Sequence, residues 1–496
     1  MKDSIKNLLV IILVMFAFLL IYKVHLNYPY PYQDPHYSGF IDNNGYSNYN
    51  YPLHGDEWTH LAQAVYLMEN KNIPEVNPYL KDTQKLNLES GFHAFLAQFF
   101  TLTNLDPILN YQYLPAIFAV ISLLTLIILV ILITNNFYIS LLASLFFLSI
   151  KNNVNLMGIW FLVPLTFSIF IIYLFFYCFL NENKKLNYLS ILFYLTSIFT
   201  YPAATILITL ILILYLIINN KFNKYYLIFG VILFLAALFL FRNNLQHLFD
   251  VFIFKYGWTG AFEFKYSIIK MYGLIAFLFA LIGSIYIYKK RLNKILLMWP
   301  LICLIPVIMY STLKFTLFLP YQRAFFYLLI GLVPLSAIGL YYLLEYVYIF
   351  IKKYDKTLAI FTIILLTSLV FISQFNNYYK IEDKRFLPLH FINEDDYNAL
   401  KWVKENYGTK NLIMTNLLTA FGVYPISQNY VVAMPLSNLG GGDESSVIKF
   451  YSSDCQTKKE IILKKKINLV YSYDKINCDF LKKVYNKKVY IYEFKK

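Results

Sequence analysis

Residues 54–70 read HGDEWTHLAQAVYLMEN. Leu61, Ala64, Val65 and Met68 recur at i, i+3, i+4 and i+7, the apolar stripe of an amphipathic helix. Asp56 stands just ahead of the stripe, where a carboxylate can cap free backbone N–H groups, and the spacing predicts it as the N-cap. With a helix starting one turn earlier, Asp56 and His60 become i, i+4 neighbours and Glu57 points about a quarter turn away. The stretch matters because of where it sits. It follows the apolar run LLVIILVMFAFLLIY at 8–22 and lies in a polar segment, 27–111, too long to be a mere connector.

Outward from that segment the chain is almost wholly apolar. Of its 496 residues 59% are hydrophobic and 14% charged, against roughly 25% charged in soluble domains. Runs of about twenty residues, enough to cross roughly 30 Å of hydrocarbon, predict an α-helical polytopic membrane protein with about eleven spans. They fall near 7–26, 112–134, 137–151, 156–180, 187–200, 202–219, 225–242, 267–288, 295–312, 322–350 and 357–375. No small-residue cleavage pattern follows the first run, so it reads as an uncleaved span. The net charge of +15 does not indicate nucleic acid, because Lys and Arg fall between apolar runs or in the last hundred residues.

The placement of those cations sets the topology. Lys184 and Lys185, Lys221 and Lys224, Lys289 to Lys294, and Lys352, Lys353 and Lys356 follow even-numbered spans, and Lys2 and Lys6 precede the first. Positive loops mark the cytoplasmic side. The assignment that satisfies them all is a cell-membrane, multi-pass chain with a cytoplasmic N-terminus and an extracytoplasmic C-terminal domain. Loop 27–111 then lies outside. The domains are read as 1–376, spanning the membrane, and 377–496, a small α/β domain. In the latter, a helix is predicted over 395–407 and strands at 411–415, 430–434, 467–473 and 488–494. CQTKKEIILKKK and INCDFLKKVY read as Lys-rich helices, and GGGDESS at 440–446 as a turn or helix start. Cys455 and Cys478 share this outward domain, where a disulfide is chemically allowed.

A second amphipathic stretch, ESGFHAFLAQFF at 89–100, carries Phe92, Phe95, Leu96 and Phe99 on one face and places Glu89 and His93 at i, i+4. Both stretches suit helices lying along the membrane surface, apolar side down, with acids and histidines facing water. The bland reading is a cap, a favourable N-terminal charge and solvated histidines. A metal is the other option: Asp56, Glu57, His60, Glu89 and His93 offer oxygen and imidazole ligands for a divalent ion such as Mg²⁺ or Mn²⁺. HEXXH spacing is absent, which argues against a zinc protease. At the outer edge Arg323, Lys314 and Arg242 stand against the positive-inside bias, with Lys255 and Lys265 in the same outer loops. An Arg at headgroup level can fork two hydrogen bonds onto a phosphate; snorkelling is the plain alternative.

The order of these features resembles the GT-C class of membrane glycosyltransferases of archaea and bacteria. That class includes protein mannosyltransferases, aminoarabinose transferases and oligosaccharyltransferases. The likeness lies in one span, a long outer loop bearing HGDEWTHLAQAVYLMEN, NPYL at 77–80 and ESGFHAFLAQFF, then a many-span bundle and an outer α/β domain. It implies transfer of a hexosyl or pentosyl group from a polyprenyl-phosphate (dolichyl-phosphate-like) donor to a glycan, lipid or protein acceptor on the outer face. Asp56 is then the catalytic candidate, and Glu57 assists it or binds the acceptor; His60, Glu89, His93, Arg323, Lys314 and Arg242 are candidate substrate contacts. No WWDYG-like stretch is present, a departure from oligosaccharyltransferases.

The chemistry is consistent with this. A lipid-phosphate sugar carries its own good leaving group, so little general-acid help is needed. A carboxylate must take the acceptor hydroxyl's proton, and cations must steady the departing phosphate. One carboxylate acting as base implies a single inverting displacement. No cofactor is required beyond the divalent ion considered above. The alternatives are an oligosaccharyltransferase or glycan ligase, and a lipid-linked glycan transporter or flippase. Transporters place ionisable groups at mid-membrane, whereas here Glu345, near a span end, is the clearest.

Overall fold

The computed structural model describes residues 3–26, 32–33, 40–41, 49–73, 76–81, 89–219, 253–255, 266–290, 293–382, 387–388, 390–435 and 441–495. Packing divides the chain into two compact units. The first holds 1–19, 117–159 and 165–380; the second holds 20–116, 160–164 and 381–496. Loop one thus folds with the C-terminal segment, 381–496, in one unit.

The first unit is helical. Helices stand at Asp3–Tyr22, Leu114–Thr134, Phe137–Leu148, Pro164–Leu180, Lys184–Thr200, Pro202–Ile218, Leu274–Lys290, Ile295–Leu313, Tyr321–Lys352 and Lys356–Phe375. The expected span 225–242 lies outside the described residues. Among the described residues five stretches are long and apolar enough to cross a membrane: 3–22, 107–134, 295–313, 321–352 and 356–375. Two expected spans change shape. The run 156–180 becomes helical only at Pro164, and 160–164 packs in the second unit. The run 267–288 breaks at Gly273, whose φ of +94° ends a short turn, Ile268–Tyr272, before the next helix begins. The centre of this unit is helix 321–352, buried continuously from Ala324 to Leu340. Helix 274–290 lies against it backbone to backbone. A Cβ on Gly283 would come 2.0 Å from the Leu335 carbonyl oxygen, and one on Gly339 2.0 Å from that of Phe279. Small residues permit this close approach in an apolar medium, where dispersion is the main attraction.

In the second unit we label α1 (Gly55–Asn70), α2 (Ser90–Thr103), α3 (Glu394–Tyr407), α4 (Ala420–Ser427), α5 (Glu444–Ser452) and α6 (Cys455–Lys465). The strands are β1 (Leu412–Met414), β2 (Tyr430–Val431), β3 (Leu469–Ser472), β4 (Leu481–Asn486) and β5 (Tyr490–Phe494), in the sheet order β4-β5-β3-β1-β2. β1 pairs parallel with β2 and β3, while β5 pairs antiparallel with β3 and β4. INCDFLKKVY is therefore partly strand rather than helix. Its residues from Leu481 pair across to Phe494, satisfying a backbone ladder that its helix-compatible lysines gave no hint of. GGGDESS does start a helix, with Asp443 capping α5 and holding Lys465 at 2.7 Å. Cys455 and Cys478 are joined by a disulfide.

Candidate active site

The first turn of α1 is built by a capping box. His54, not Asp56, is the N-cap: its Nδ1 accepts from Asp56 N at 2.9 Å, which fixes the Nε2–H tautomer. Asp56 comes two residues later, half-buried. Its backbone is thus held by His54, while its carboxylate accepts no hydrogen bond among the described residues.

Glu57 is the opposite case. It is 1% exposed, and both its oxygens are taken by backbone. Oε2 accepts from Leu53 N at 2.9 Å and His54 N at 3.1 Å, and Oε1 accepts from Leu162 N at 2.8 Å. Burial pushes its pKa up to about 8, against the pull of those three N–H groups towards the anion. The other end of the Leu162 peptide is also held, its carbonyl accepting from the Tyr111 hydroxyl at 2.6 Å.

The rest of α1 is not a surface helix with a wet face. Glu57 to Val65 are buried on every side. The reason lies in NPYL: the Asn77 side chain accepts from Tyr79 N at 3.0 Å and orients the residue. The Tyr79 hydroxyl reaches the carbonyls of Trp58 at 3.1 Å and Phe421 at 2.8 Å, joining α1 to α4. Gly55 fits the same junction, since a Cβ there would lie 3.1 Å from the Phe421 ring.

One turn beyond Asp56, His60 meets α2. His60 Nδ1 is 2.9 Å from His93 Nε2 and 3.7 Å from Glu89 Oε2. Both histidines are nearly fully buried, and burial lowers the His93 pKa to about 3. Glu89 occupies the N-cap position of α2 without capping it. Of the five expected metal ligands the structure gathers these three, with ligand atoms within 4.8 Å of one another; Asp56 and Glu57 stand outside the group.

In the first unit Arg323 starts helix 321–352, half-buried. In the same helix Tyr321 is stacked with Tyr310 and with Tyr266, at centroid distances of 4.3 Å and 5.9 Å. The Tyr321 hydroxyl accepts from Tyr266 N at 2.8 Å, and the Tyr266 hydroxyl donates to Asn155 at 2.5 Å. Burial raises the Tyr266 pKa, and the Arg323 charge opposes that rise. Lys314, in the left-handed conformation at φ 62°, ends helix 295–313 and precedes strand 315–317. Arg242 and Lys265 lie outside the described residues, as does the Lys255 side chain. Sequence reasoning missed His54, Tyr111 and Leu162. The histidine beside Asp56 was visible, but a backbone N–H that satisfies Glu57 from 105 residues away leaves no trace in composition or spacing.

The fold is similar to that of solved membrane oligosaccharyltransferase and ArnT structures. The archaeal oligosaccharyltransferase of Archaeoglobus fulgidus, solved with an inhibitory peptide and a dolichol-phosphate, matches at TM-score 0.53 and 12% identity over 93% of this chain and 69% of that one. The same enzyme solved with Zn and sulfate matches at 0.55 and 13%, over 93% and 67%. ArnT from Cupriavidus metallidurans matches at 0.54 and 8%, over 97% of both chains. No family model and no curated sequence matches.

Proposed function

We propose that this membrane protein moves a sugar from a polyprenyl-phosphate donor to an acceptor at the outer face, by one inverting displacement with Asp56 as base. The carrying observation is the division of labour in the first turn of α1. Glu57 and His54 are spent on backbone N–H groups, and the carboxylate between them is left without such a bond among the described residues. A general base needs a lone pair aimed at the acceptor proton rather than at its own backbone. Glu57 is accordingly a positioning residue and not a second base.

The solved Archaeoglobus complex with a dolichol-phosphate supports a lipid-phosphate donor. Arg323 serves as the phosphate contact, with Lys314 in the loop that precedes its helix. The Cys455–Cys478 bridge supports an oxidising, extracytoplasmic side for the C-terminal domain and hence a cytoplasmic N-terminus. Transfer of a whole oligosaccharide is the second reading, favoured by the fold shared with the Archaeoglobus enzyme.

Purified protein incubated with a panel of polyprenyl-phosphate sugars should consume one of them. Asp56→Ala should cut that rate by roughly 10²–10⁴, the usual worth of a positioned base, with membrane insertion and helix content unchanged; undiminished turnover would remove Asp56 as base. Arg323→Ala should lower turnover by roughly 10²–10³, the cost of one lost charge-stabilising donor, and unchanged donor kinetics would leave it an anchor.

A further inference from the structure

The first helix of the second unit crosses α2 at His60, and there two imidazoles and a carboxylate converge. His60 Nδ1 and His93 Nε2 face each other at 2.9 Å, and Glu89 Oε2 approaches the same His60 nitrogen at 3.7 Å. Ligands about 2.0–2.1 Å from one tetrahedral metal lie roughly 3.4 Å apart, between those two values. Small side-chain rotations would therefore seat an ion. Without one, the two facing ring nitrogens share one hydrogen bond.

We propose that His60, Glu89 and His93 hold a Zn²⁺ ion that fastens α1 to α2. The ligand chemistry selects the metal. Two imidazoles and one carboxylate form a nitrogen-rich set suited to Zn²⁺, whereas Mg²⁺ prefers all-oxygen ligands and keeps several waters. His60 and His93, 4% and 3% exposed, leave little room for such a hydrated ion. The ion sits one helical turn from Asp56 but does not include it. Its role is to fix the two helices of loop one, so that the turn bearing Asp56 keeps its place. Binding of the metal stands apart from the sugar-transfer reading and can be measured whether or not a donor is found.

The test uses the full chain in detergent or nanodiscs, loaded with Zn²⁺, dialysed and assayed by elemental analysis and thermal unfolding. Wild type should retain one Zn²⁺ per chain and unfold several degrees higher with metal than after chelation. His93→Gln and His60→Gln should retain no stoichiometric zinc and show no metal-dependent shift. Glu89→Gln, at the most exposed ligand and the variant best placed to fold, should weaken zinc affinity at least tenfold. Asp56→Asn should bind zinc like wild type while losing transfer, which separates the two claims. The proposal is overturned if wild type retains less than about a tenth of an equivalent, if Mg²⁺ stabilises as well as Zn²⁺, or if the folded Glu89→Gln chain binds zinc undiminished.

Discussion

Two capping boxes in the second unit start from the same device and end in different uses. At α3, Asn393 caps through Asp396 N at 3.0 Å, and Asp396 returns the bond to Asn393 N at 2.7 Å. At α1, His54 and Glu57 play those parts. Both returning carboxylates are buried, at 0% and 1% exposure. Asp396 then gathers side chains, the hydroxyls of Tyr471 and Tyr473, and so ties α3 to the sheet. Glu57 gathers backbone alone, including a peptide 105 residues on. The first box strengthens a fold. The second holds Glu57 on backbone N–H groups beside an Asp56 carboxylate that accepts no hydrogen bond among the described residues.

The comparison breaks most sharply at the carboxylates. Glu57→Ala strands two buried N–H groups and a part-buried one, and at about 1–3 kcal/mol for each unsatisfied buried group it should cost at least about 2 kcal/mol of stability. It should also abolish transfer, since Asp56 loses its frame. Asp396→Ala takes a partner from the Asn393 N–H and the Tyr471 hydroxyl, while the Tyr473 hydroxyl keeps Thr419, so it should cost less than Glu57→Ala, and in a region where any surviving folded protein should keep its donor turnover. Denaturant titration paired with donor consumption separates the two. Equal loss of turnover per folded molecule would show that the boxes do not differ in function.

A smaller effect is the pH dependence. The Glu57 pKa in the folded chain, about 8, is raised above its ordinary 4.5. The folded state therefore binds more protons than the unfolded between those values. The stability Glu57 contributes is full below about 4.5 and falls as pH rises, until it is lost above about 8. Thermal unfolding between pH 5 and 9 should show this decline in wild type and a flatter profile in Glu57→Gln.

The smallest effect lies at the caps. His54→Ala should cost about 1 kcal/mol, and His54→Asn should recover it, because Asn is itself a strong N-cap. Failure of Asn to rescue would mean that the imidazole does more than cap.

Much of the molecule was legible in its sequence. Helices 184–200 and 202–218 part at Tyr201–Pro202, as the proline required, and α6 begins behind Asp454 and ends in lysines. The helix over 54–70 followed from periodicity alone. The cap did not: histidine is rarely chosen there, and Asp56 was the better candidate by chemistry. Nor did the strand at 481–486, whose lysines and leucine fit a helix until Tyr490–Phe494 comes alongside.

What the sequence alone determined was the membrane class, the spacing of apolar helices and which acids stand in loop one, because periodicity and charge are local properties. Only the tertiary structure decided that Glu57 is sealed against Leu162, that Asp56 is spared, and that His60 meets His93. Those outcomes depend on which distant groups compete for the same lone pairs, and that competition exists only once the chain has brought them together.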